Sequence, residues 1–354
     1  GIVADRVNKR NIMVVLDFFT AAVIIIFSLL MGNLNLVVLM AVTLMILYGI
    51  AGAYQPAVQA SIPALVSPAH IMEANSIINA ISSFASLLGP VLGGILYSAY
   101  GIVPVLWGCT VCFFLSAVME LFIKIPFSRP ESGGSVWEIV KEDFGQSIRF
   151  IRKEKPAIGK GLLVVCGMNL FLSAMIIVGL PYMVTEVLQL EAGLANKLYG
   201  FAQGALAAGG LAGGISAGIF AKKLSVQNAG KLIIAGAGFV FPIGISQMVF
   251  SSGMVNYMVL TVCCFFIMLF STVFSVQMMA FVQTQTPANL VGKVIAVMLT
   301  VSMCAQPLGN AMYGVLFEIC KGYEPAVVLF AGAASLVIAV STRQIFERLT
   351  PETL

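Results

Sequence analysis

The sequence predicts an all-α membrane protein, because long apolar segments recur along it and charged residues are scarce. Hydrophobic residues occupy 60% of the 354 positions and charged residues only 10%, whereas about 25% of the residues of soluble proteins are charged. A helix needs about 20 predominantly apolar residues to cross the hydrocarbon core of a bilayer. The chain contains ten segments of suitable length and composition, so we predict ten membrane-spanning helices.

The predicted spans are joined by short polar loops, except at one longer hydrophilic stretch, 126–160, which separates four spans from six. The spans are Ile12–Met31, Leu36–Gln55, Ile77–Tyr100, Val103–Ile125, Gly161–Val184, Leu198–Phe220, Leu232–Phe250, Met254–Gln277, Ile295–Leu316 and Ala326–Ser341. These positions predict three parts: an incomplete N-terminal bundle of four helices (1–125), a cytoplasmic linker (126–160), and a C-terminal bundle of six helices with a short cytoplasmic tail (161–354).

The orientation of the spans follows from the distribution of lysine and arginine, because short loops rich in these residues stay in the cytoplasm. If the loop at residues 1–10 is cytoplasmic, only Lys197 and Lys321 fall on the opposite side. Ten spans then return the C-terminus to the cytoplasm. We therefore expect a multi-pass protein of the cell membrane with a cytoplasmic C-terminus.

The two parts of the chain carry related motifs in the same order, displaced by 217 to 221 positions. The paired motifs are Gly1-x-x-Ala4-Asp5-Arg6 with Gly218-x-x-Ala221-Lys222-Lys223, Pro68-Ala69 with Pro287-Ala288, Pro90 with Pro307, and Gly101-x-x-Pro104 with Gly322-x-x-Pro325. Internal repeats of this length are typical of transporters. Two spans precede the second copy of the first motif and none precedes the first copy. We therefore expect two further helices upstream, so that these ten of twelve helices form two pseudo-symmetric bundles.

The linker contains a predicted amphipathic helix. Ser135 and Glu138 have the spacing of a capping box, and apolar residues then recur every three or four positions, at Trp137, Val140, Phe144, Ile148 and Ile151. Such a helix lies either on the cytoplasmic face of the membrane or against the protein itself. Both arrangements remain open from the sequence.

Several functional classes are disfavoured by composition. The chain has one histidine, His70, placed in a loop, so we expect no metal site, no cofactor and no enzyme. Paired carboxylates are not evident either. The basic residues are scattered among loops, which disfavours nucleic-acid binding. The Cys109-x-x-Cys112 spacing lacks the second pair that a zinc site needs, and there is no phosphate-binding loop of the kind that an ATP-driven pump carries.

The first ten residues form a charged turn immediately before the first span. Their sequence, Gly1-Ile-Val-Ala-Asp-Arg-Val-Asn-Lys-Arg10, resembles the signature loop between the second and third helices of major facilitator superfamily transporters. The resemblance implies that Gly1, Asp5, Arg6, Lys9 and Arg10 form a conformational latch, in which Asp5 and Arg6 contact the other bundle and hold the outward-open state. Without the resemblance, anchoring of the loop at the lipid headgroups explains these charges.

Two spans carry small residues at regular spacing. The third contains Ala85-x-x-x-Gly89-Pro90-x-x-Gly93-Gly94, which resembles the antiporter signature of drug-exporting facilitators. The sixth contains Gly200-x-x-x-Gly204 and Gly210-x-x-x-Gly214-x-x-x-Gly218, a pattern that permits close approach of membrane helices. In the superfamily these helices are the fifth and the eighth, which face each other across the two bundles. The resemblance implies glycine faces that let the bundles rock; static packing is the alternative.

A few polar residues fall inside the predicted spans. We select Asp17, Asn169, Gln203 and Gln306 as candidate intramembrane polar residues. A carboxylate in a span is costly unless it is paired or hydrated, so Asp17 is expected either to pair with a basic neighbour that extends towards it or to bind a proton. Glu120 precedes Lys124 by four residues, which suggests a helical ion pair.

The combined motifs resemble most the branch of the superfamily that contains macrolide-efflux proteins and the enterobactin exporter. This resemblance implies a monomeric secondary active exporter of a small amphipathic compound, such as a drug or a macrolide, coupled to protons. The expected partners are membrane lipid, the small-molecule substrate and the proton. The arginine that drug–proton antiporters carry in the fourth helix is absent from Leu36–Gln55. A channel or assembly subunit, and a facilitator for a siderophore or metabolite, remain alternatives.

Overall fold

A computed structural model describes residues 8–32, 35–125, 144–188, 192–224, 228–288 and 290–347. Regular secondary structure in these ranges is helical throughout, as predicted. The α-helices are α1 Lys9–Leu30, α2 Leu36–Leu65, α3 Ile71–Tyr100, α4 Ile102–Glu120, α5 Pro156–Met168, α6 Ala174–Tyr182, α7 Ala192–Ile219, α8 Ala229–Gly238, α9 Val240–Val249, α10 Gly253–Gln285, α11 Val291–Ile319 and α12 Glu324–Glu347. Short π-helical turns, Asn169–Ser173 and Met183–Val187, follow α5 and α6.

Nine helical segments of the described part are long and apolar enough to cross a membrane. They overlap nine of the ten predicted spans, the third of them only over residues 77–89. The remaining prediction, Leu198–Phe220, falls in α7, which is helical over 28 residues but is not among the nine. Its composition explains the difference, because α7 consists largely of glycine and alanine, which contribute much less hydropathy than leucine, isoleucine or phenylalanine.

The internal repeat extends to the backbone conformation. Gly101 and Gly322, which occupy equivalent positions in the two copies, have φ angles of 76° and 86°. Gly101 lies immediately ahead of α4, and Gly322 lies two residues ahead of the start of α12. Glycine adopts positive φ without the steric penalty that a Cβ atom brings. The two glycines are therefore required by the same sharp turn, made once in each copy.

Packing of the backbone divides the chain into two compact units. Unit 1 comprises 1–68, 88–149 and 286–297, and unit 2 comprises 69–87, 150–285 and 298–354. In unit 1, α1 packs against α4 and α2, with Ile12, Met13, Ala57 and Ile125 buried between them. Asn8 begins this arrangement as the N-cap of α1, because its side-chain oxygen accepts a hydrogen bond from the Arg10 backbone N–H at 3.0 Å.

Unit 2 has the larger core, which includes the fully buried side chains of Leu260, Ile267, Tyr313 and Val328. Within it, α7 lies closely along α10. A Cβ atom added at Gly213 would lie 2.6 Å from the Leu269 carbonyl oxygen. Glycine is thus needed on this face of α7 because the two backbones approach more closely than a side chain permits.

The described end of the predicted linker helix packs on the protein. Helix 144–149 continues into a π-helical turn, Phe150–Glu154, in which Phe150 and Ile151 are each only 3% exposed. Lys155 follows, and its Nζ donates a hydrogen bond to Gln285 Oε1 at 2.8 Å. Trp137 and Val140 lie outside the described residues. Of the predicted apolar pattern, Ile151 is buried, Ile148 is partly buried and Phe144 is 52% exposed, so the described part packs on the protein through its C-terminal end.

Candidate functional site

A cavity of about 380 Å³ opens inside unit 2. Its walls are formed by the first part of α3, by α5 with the π turn that follows it, and by α8, α10 and α11. Binding sites for small molecules in proteins occupy about 300–1,000 Å³. The cavity is therefore large enough for a small organic compound, and we take it as the candidate site.

The apolar part of the wall is dominated by methionine. Six methionines line the cavity, namely Met168, Met268, Met278, Met279, Met298 and Met303. Methionine has a flexible, unbranched side chain with a polarizable sulfur, so it adapts to differently shaped apolar groups and contacts aromatic rings favourably. The wall is suited to apolar or aromatic portions of a ligand rather than to one fixed shape.

The polar part of the wall consists of hydroxyls and amides, including Asn79, Asn169, Ser173, Ser271, Ser275 and Ser302. None of the described residues that line the cavity is charged. An ionic ligand would find no counter-charge there, and desolvation of a charge without one is costly. The cavity therefore favours neutral or weakly charged compounds that carry a few hydrogen-bonding groups.

The π turn Asn169–Ser173 places three residues on the cavity wall: Asn169, Leu172 and Ser173. Asn169 Nδ2 donates to the Ser302 carbonyl oxygen of α11 at 3.1 Å, and Ser173 Oγ donates to Asn169 Oδ1 at 3.3 Å. Single π turns inside α-helices occur frequently at functional sites. The sequence indicated Asn169 by its polarity but contained no signal for the π turn that orients it.

The structure separates the predicted intramembrane polar residues. Asn169 lines the cavity together with Asn79, whereas Gln203 is exposed and donates through Nε2 to the Tyr199 hydroxyl at 2.7 Å. Gln306 is partly buried on α11 and is not among the cavity-lining residues. Asp17 lies in unit 1. Polarity alone therefore identified membrane-embedded groups but not which of them share a site.

The glycines Gly210, Gly214 and Gly218 of α7 lie directly against α3. A Cβ atom added at Gly210 would lie 2.9 Å from Ser83 Oγ, one at Gly214 would lie 2.9 Å from the Ala80 backbone nitrogen, and one at Gly218 would lie 3.3 Å from Ser76 Cβ. The contact therefore joins a glycine stripe to a stripe of small residues, Ser76, Ala80 and Ser83. We call this the α3–α7 contact.

Two glycines of the predicted antiporter motif, Gly89 and Gly93, have open space beside them. Cβ atoms added at Gly89 or Gly93 would meet nothing within 4 Å, and the same holds at Gly200 and Gly204. The side chain of Pro90 and the surroundings of Gly94 lie outside the described residues. The α3–α7 contact described above lies in the first half of α3, where Ser76, Ala80 and Ser83 are small enough to admit a neighbouring helix.

Only part of the predicted latch lies in the described chain. Gly1, Asp5 and Arg6 fall outside it, while Lys9 and Arg10 form the start of α1. The Arg10 guanidinium donates through Nη1 to the Leu121 carbonyl oxygen at 3.5 Å, just beyond the end of α4. A cation at the C-terminal end of a helix interacts favourably with the exposed carbonyl groups. Arg10 therefore links α1 to α4 within unit 1.

The predicted helical ion pair between Glu120 and Lys124 is wrong. No ion pair joins Asp17 or Glu120 to a basic residue within the described ranges. Helix α4 ends at Glu120, so Lys124 does not occupy the next helical turn. Glu120 instead accepts a hydrogen bond from the Tyr54 hydroxyl at 2.7 Å.

Membrane-spanning helices, two copies of one glycine turn and an uncharged internal cavity define a class of protein, the polytopic transporters. The family description of the Major Facilitator Superfamily matches residues 1–310. The chain belongs to this superfamily, whose members are membrane transporters and not enzymes.

Among curated proteins, the chain is similar to YfiS of Bacillus subtilis (strain 168), described as an uncharacterized MFS-type transporter. The two are 26% identical over 335 residues, which cover 90% of this chain and 73% of YfiS. This relative supports membership of the superfamily and names no substrate.

Among solved structures, the fold is similar to that of the E. coli fucose:proton symporter FucP, with a TM-score of 0.75, 15% identity and coverage of 99% of this chain and 86% of FucP. It is also similar to a bacterial homologue of the iron transporter ferroportin in an outward-facing state, with a TM-score of 0.71, 16% identity and coverage of 98% and 84%. At such low identity these likenesses show the fold alone.

Proposed function

We propose that the protein is a secondary active exporter of a small amphipathic compound, drug-like or macrolide-like, which it moves by alternating access in exchange for protons. The observation that carries the proposal is the uncharged, methionine-rich cavity of unit 2. We further propose that it acts as a monomer in the plasma membrane, with its C-terminus in the cytoplasm. The macrolide-efflux branch and the two additional upstream helices stay predictions.

The chemistry of the cavity supports an amphipathic cargo. Methionine side chains provide adaptable apolar contacts, while the amide of Asn169 and the hydroxyls of Ser271, Ser275 and Ser302 can orient the polar end of a ligand. Binding sites for small molecules combine apolar walls with a few placed polar groups in the same way. A strongly anionic cargo is disfavoured because the described lining contains no lysine, arginine or histidine.

The α3–α7 contact supports movement by alternating access. The sequence assigns α3 to the predicted bundle 1–125 and α7 to the predicted bundle 161–354. Lys222 and Lys223 follow α7 directly, and lysine-rich loops favour the cytoplasm, so we place the Gly218 end of the contact at the cytoplasmic side. In this proposal the contact closes the cytoplasmic side in one state and separates in the other, and the predicted latch at Asp5 and Arg6 reinforces the closed form.

A facilitator for a neutral metabolite is the second candidate. The seven hydroxyl and amide side chains on the cavity wall favour it, because a polyhydroxylated compound needs many hydrogen-bonding partners when it is desolvated. The structural similarity to a protein named as a fucose:proton symporter is compatible with such a cargo. The methionines distinguish the two candidates, since a sugar gains little from an apolar, polarizable wall.

The proposal is tested with a variant in which a larger side chain fills the cavity. We expect Ser275→Trp to reduce the uptake of radiolabelled erythromycin into inverted vesicles carrying the full-length protein by about tenfold or more, equivalent to a loss of about 1.4 kcal/mol, because the indole occupies the cavity beside Met279. Ser341→Trp is the matched control, since Ser341 is an exposed residue of α12 outside the cavity. Uptake should also require an imposed proton gradient.

Two outcomes would contradict this proposal. Erythromycin flux that does not depend on the gradient would exclude proton-coupled export. Uptake of radiolabelled fucose that is sensitive to Ser275→Trp, with no erythromycin flux, would favour the metabolite facilitator instead.

A further inference from the structure

Unit 1 contains a cluster of polar side chains from three helices, separate from the cavity of unit 2. The Tyr54 hydroxyl of α2 donates a hydrogen bond to Glu120 Oε1, at the end of α4, at 2.7 Å. Asp17 of α1 lies close enough to interact electrostatically with both Tyr54 and Glu120, and the Ser116 hydroxyl of α4 lies beside the Asp17 carboxyl. The fold thus brings two carboxyl groups together that are far apart in the sequence.

One oxygen of this cluster lacks a hydrogen-bond partner. Glu120 is 6% exposed, and its Oε2 atom is buried with no partner in the described part of the chain. Asp17 is similarly buried, at 5% exposure. A buried carboxylate oxygen without a donor is costly, and a charged carboxylate in a membrane span costs at least about 2–3 kcal/mol. A proton bound at Oε2 removes the larger cost, that of the buried charge.

The basic groups nearest the cluster do not neutralise it. They lie at the start of α1, where Lys9 and Arg10 stand, and beyond the end of α4, where Lys124 stands. The Arg10 guanidinium donates to Asn11 Oδ1 at 3.3 Å and to the Leu121 carbonyl oxygen at 3.5 Å. Neither Asp17 nor Glu120 forms an ion pair with any of the described lysines and arginines.

Helices α1, α2 and α4 are packed around the cluster, and their remaining titratable groups, Tyr48, Cys109 and Cys112, are exposed. Two neighbouring carboxylates in a medium of low dielectric constant do not both stay ionised. Ionisation of one of the two carboxyl groups therefore disfavours ionisation of the other.

We infer that Glu120, together with Asp17 and Tyr54, forms the proton-binding site that couples transport in this protein. This inference rests on the proposed function, which requires an exchanged proton and leaves its binding residues unassigned. The proton binds to Glu120 Oε2 and forms an O–H bond, which converts a buried acceptor without a donor into a donor. Release of the proton restores the carboxylate, whose Oε1 atom the Tyr54 hydroxyl stabilises. Each transport cycle would bind one proton here and release it on the other side.

The geometry favours a proton over a metal cation. Hard metal cations are held by several oxygen atoms that converge on one point. In the cluster, the Tyr54 hydroxyl directs its hydrogen atom towards Glu120 Oε1, so this oxygen atom already has a donor. Of the two Glu120 carboxyl oxygens, Oε2 is the one without a hydrogen-bond partner in the described chain, and a single such oxygen suits a proton better than a metal cation.

The first test observes the carboxyl group directly, by infrared spectroscopy of the purified full-length protein in lipid nanodiscs. Exposed carboxylates are ionised above about pH 6, so a carbonyl band of a protonated carboxyl that persists above this pH reports a buried group. We expect the wild type to show such a band and Glu120→Gln to lose it. Asp17→Asn should change the pH at which the band disappears, because it removes the neighbouring charge.

Glu318→Gln is the matched control, because Glu318 is an exposed carboxyl near the end of α11. It should leave the band unchanged. A wild type without the band overturns the inference, and so does a band that is identical in wild type, Glu120→Gln and Asp17→Asn. If Glu120→Gln fails to fold, the comparison of wild type with Asp17→Asn still decides the result.

The second test separates coupling from transport in proteoliposomes, with radiolabelled erythromycin as the probe. Glu120→Gln is expected to keep exchange of erythromycin across the membrane but to lose its accumulation driven by a proton gradient, by about tenfold or more relative to Glu318→Gln. Unchanged accumulation in Glu120→Gln overturns the inference. If the wild type shows the infrared band but no erythromycin flux, the proposed cargo is wrong and the proton site stands.

Discussion

The variant Gly214→Val is expected to fold and insert into the membrane but to lose transport. A Cβ atom at this position would lie 2.9 Å from the backbone nitrogen of Ala80 and 3.1 Å from its Cα atom. A backbone cannot rotate away as a flexible side chain can, so α3 and α7 must separate. Overpacking of this kind typically costs about 1–3 kcal/mol, enough to reduce the population in which the α3–α7 contact is closed by about fivefold to 150-fold.

The control for this variant lies on the same helix. Gly204→Val adds an identical side chain where a Cβ atom meets nothing within 4 Å, so transport should remain close to that of the wild type. Transport is measured as uptake into inverted vesicles at equal protein amounts. Full activity of Gly214→Val would show that the α3–α7 contact is static packing with no part in the transport cycle.

The variant Gly309→Ala is expected to destabilise the protein, although alanine normally favours helices over glycine by about 1 kcal/mol. A Cβ atom at position 309 would collide with the Leu170 carbonyl oxygen and would lie 2.6 Å from Ala174 Cβ. Helix α11 therefore rests directly on the π turn Asn169–Ser173, and a methyl group would push it away. We expect a loss of about 1–3 kcal/mol, measured as a lower midpoint of thermal unfolding in detergent.

Gly314→Ala on the same helix should have the opposite effect. A Cβ atom there has no neighbour within 4 Å, so only the gain in helix propensity remains and the unfolding midpoint should stay equal or rise. A Gly309→Ala variant as stable as Gly314→Ala would contradict the close approach of α11 to the π turn. Ligand binding to the cavity should weaken in Gly309→Ala alone, because Asn169 belongs to the same turn.

The membrane-spanning helices were predictable because span length and hydropathy depend only on local sequence. The exception, α7, shows the limit of this reasoning. Its glycines permit the close approach to α10 and α3, and they also lower the mean hydropathy of the helix. The turns at Gly101 and Gly322 were indicated as one repeated motif, and they proved to have the same positive φ. A backbone turn that needs positive φ requires glycine in both copies, so it can be recognised from the sequence as a repeated glycine.

The sites were less predictable because they are assembled from residues distant in the chain. The methionines of the cavity run from Met168 to Met303 without a common spacing. Ser76, Ala80 and Ser83 look unremarkable beside the glycine motif at Gly89 and Gly93, yet they form the α3–α7 contact. Tertiary packing, which single-sequence patterns do not encode, decides which polar or small residues meet.

The carboxyl cluster illustrates the same limit. From the sequence, paired carboxylates were not evident and Glu120 had a ready partner in Lys124 four residues on. The end of α4 at Glu120 removed that partner, and the packing of α1, α2 and α4 supplied Tyr54 and Asp17 instead. Because α4 ends at Glu120 rather than beyond Lys124, this carboxyl group accepts a hydrogen bond from Tyr54 instead of forming the predicted ion pair.

The most direct test of the account is a reversible crosslink across the α3–α7 contact. A Cβ atom at position 218 would lie 3.3 Å from Ser76 Cβ, close to the separation of about 3.5–4.5 Å found across disulfides. The double variant Ser76→Cys, Gly218→Cys is prepared in a background in which the seven natural cysteines are replaced by alanine. Each single variant serves as a control.

If the contact opens and closes during transport, oxidation should stop erythromycin uptake in the double variant alone, and reduction should restore it. Transport that continues unchanged in the fully crosslinked protein would contradict alternating access through this contact.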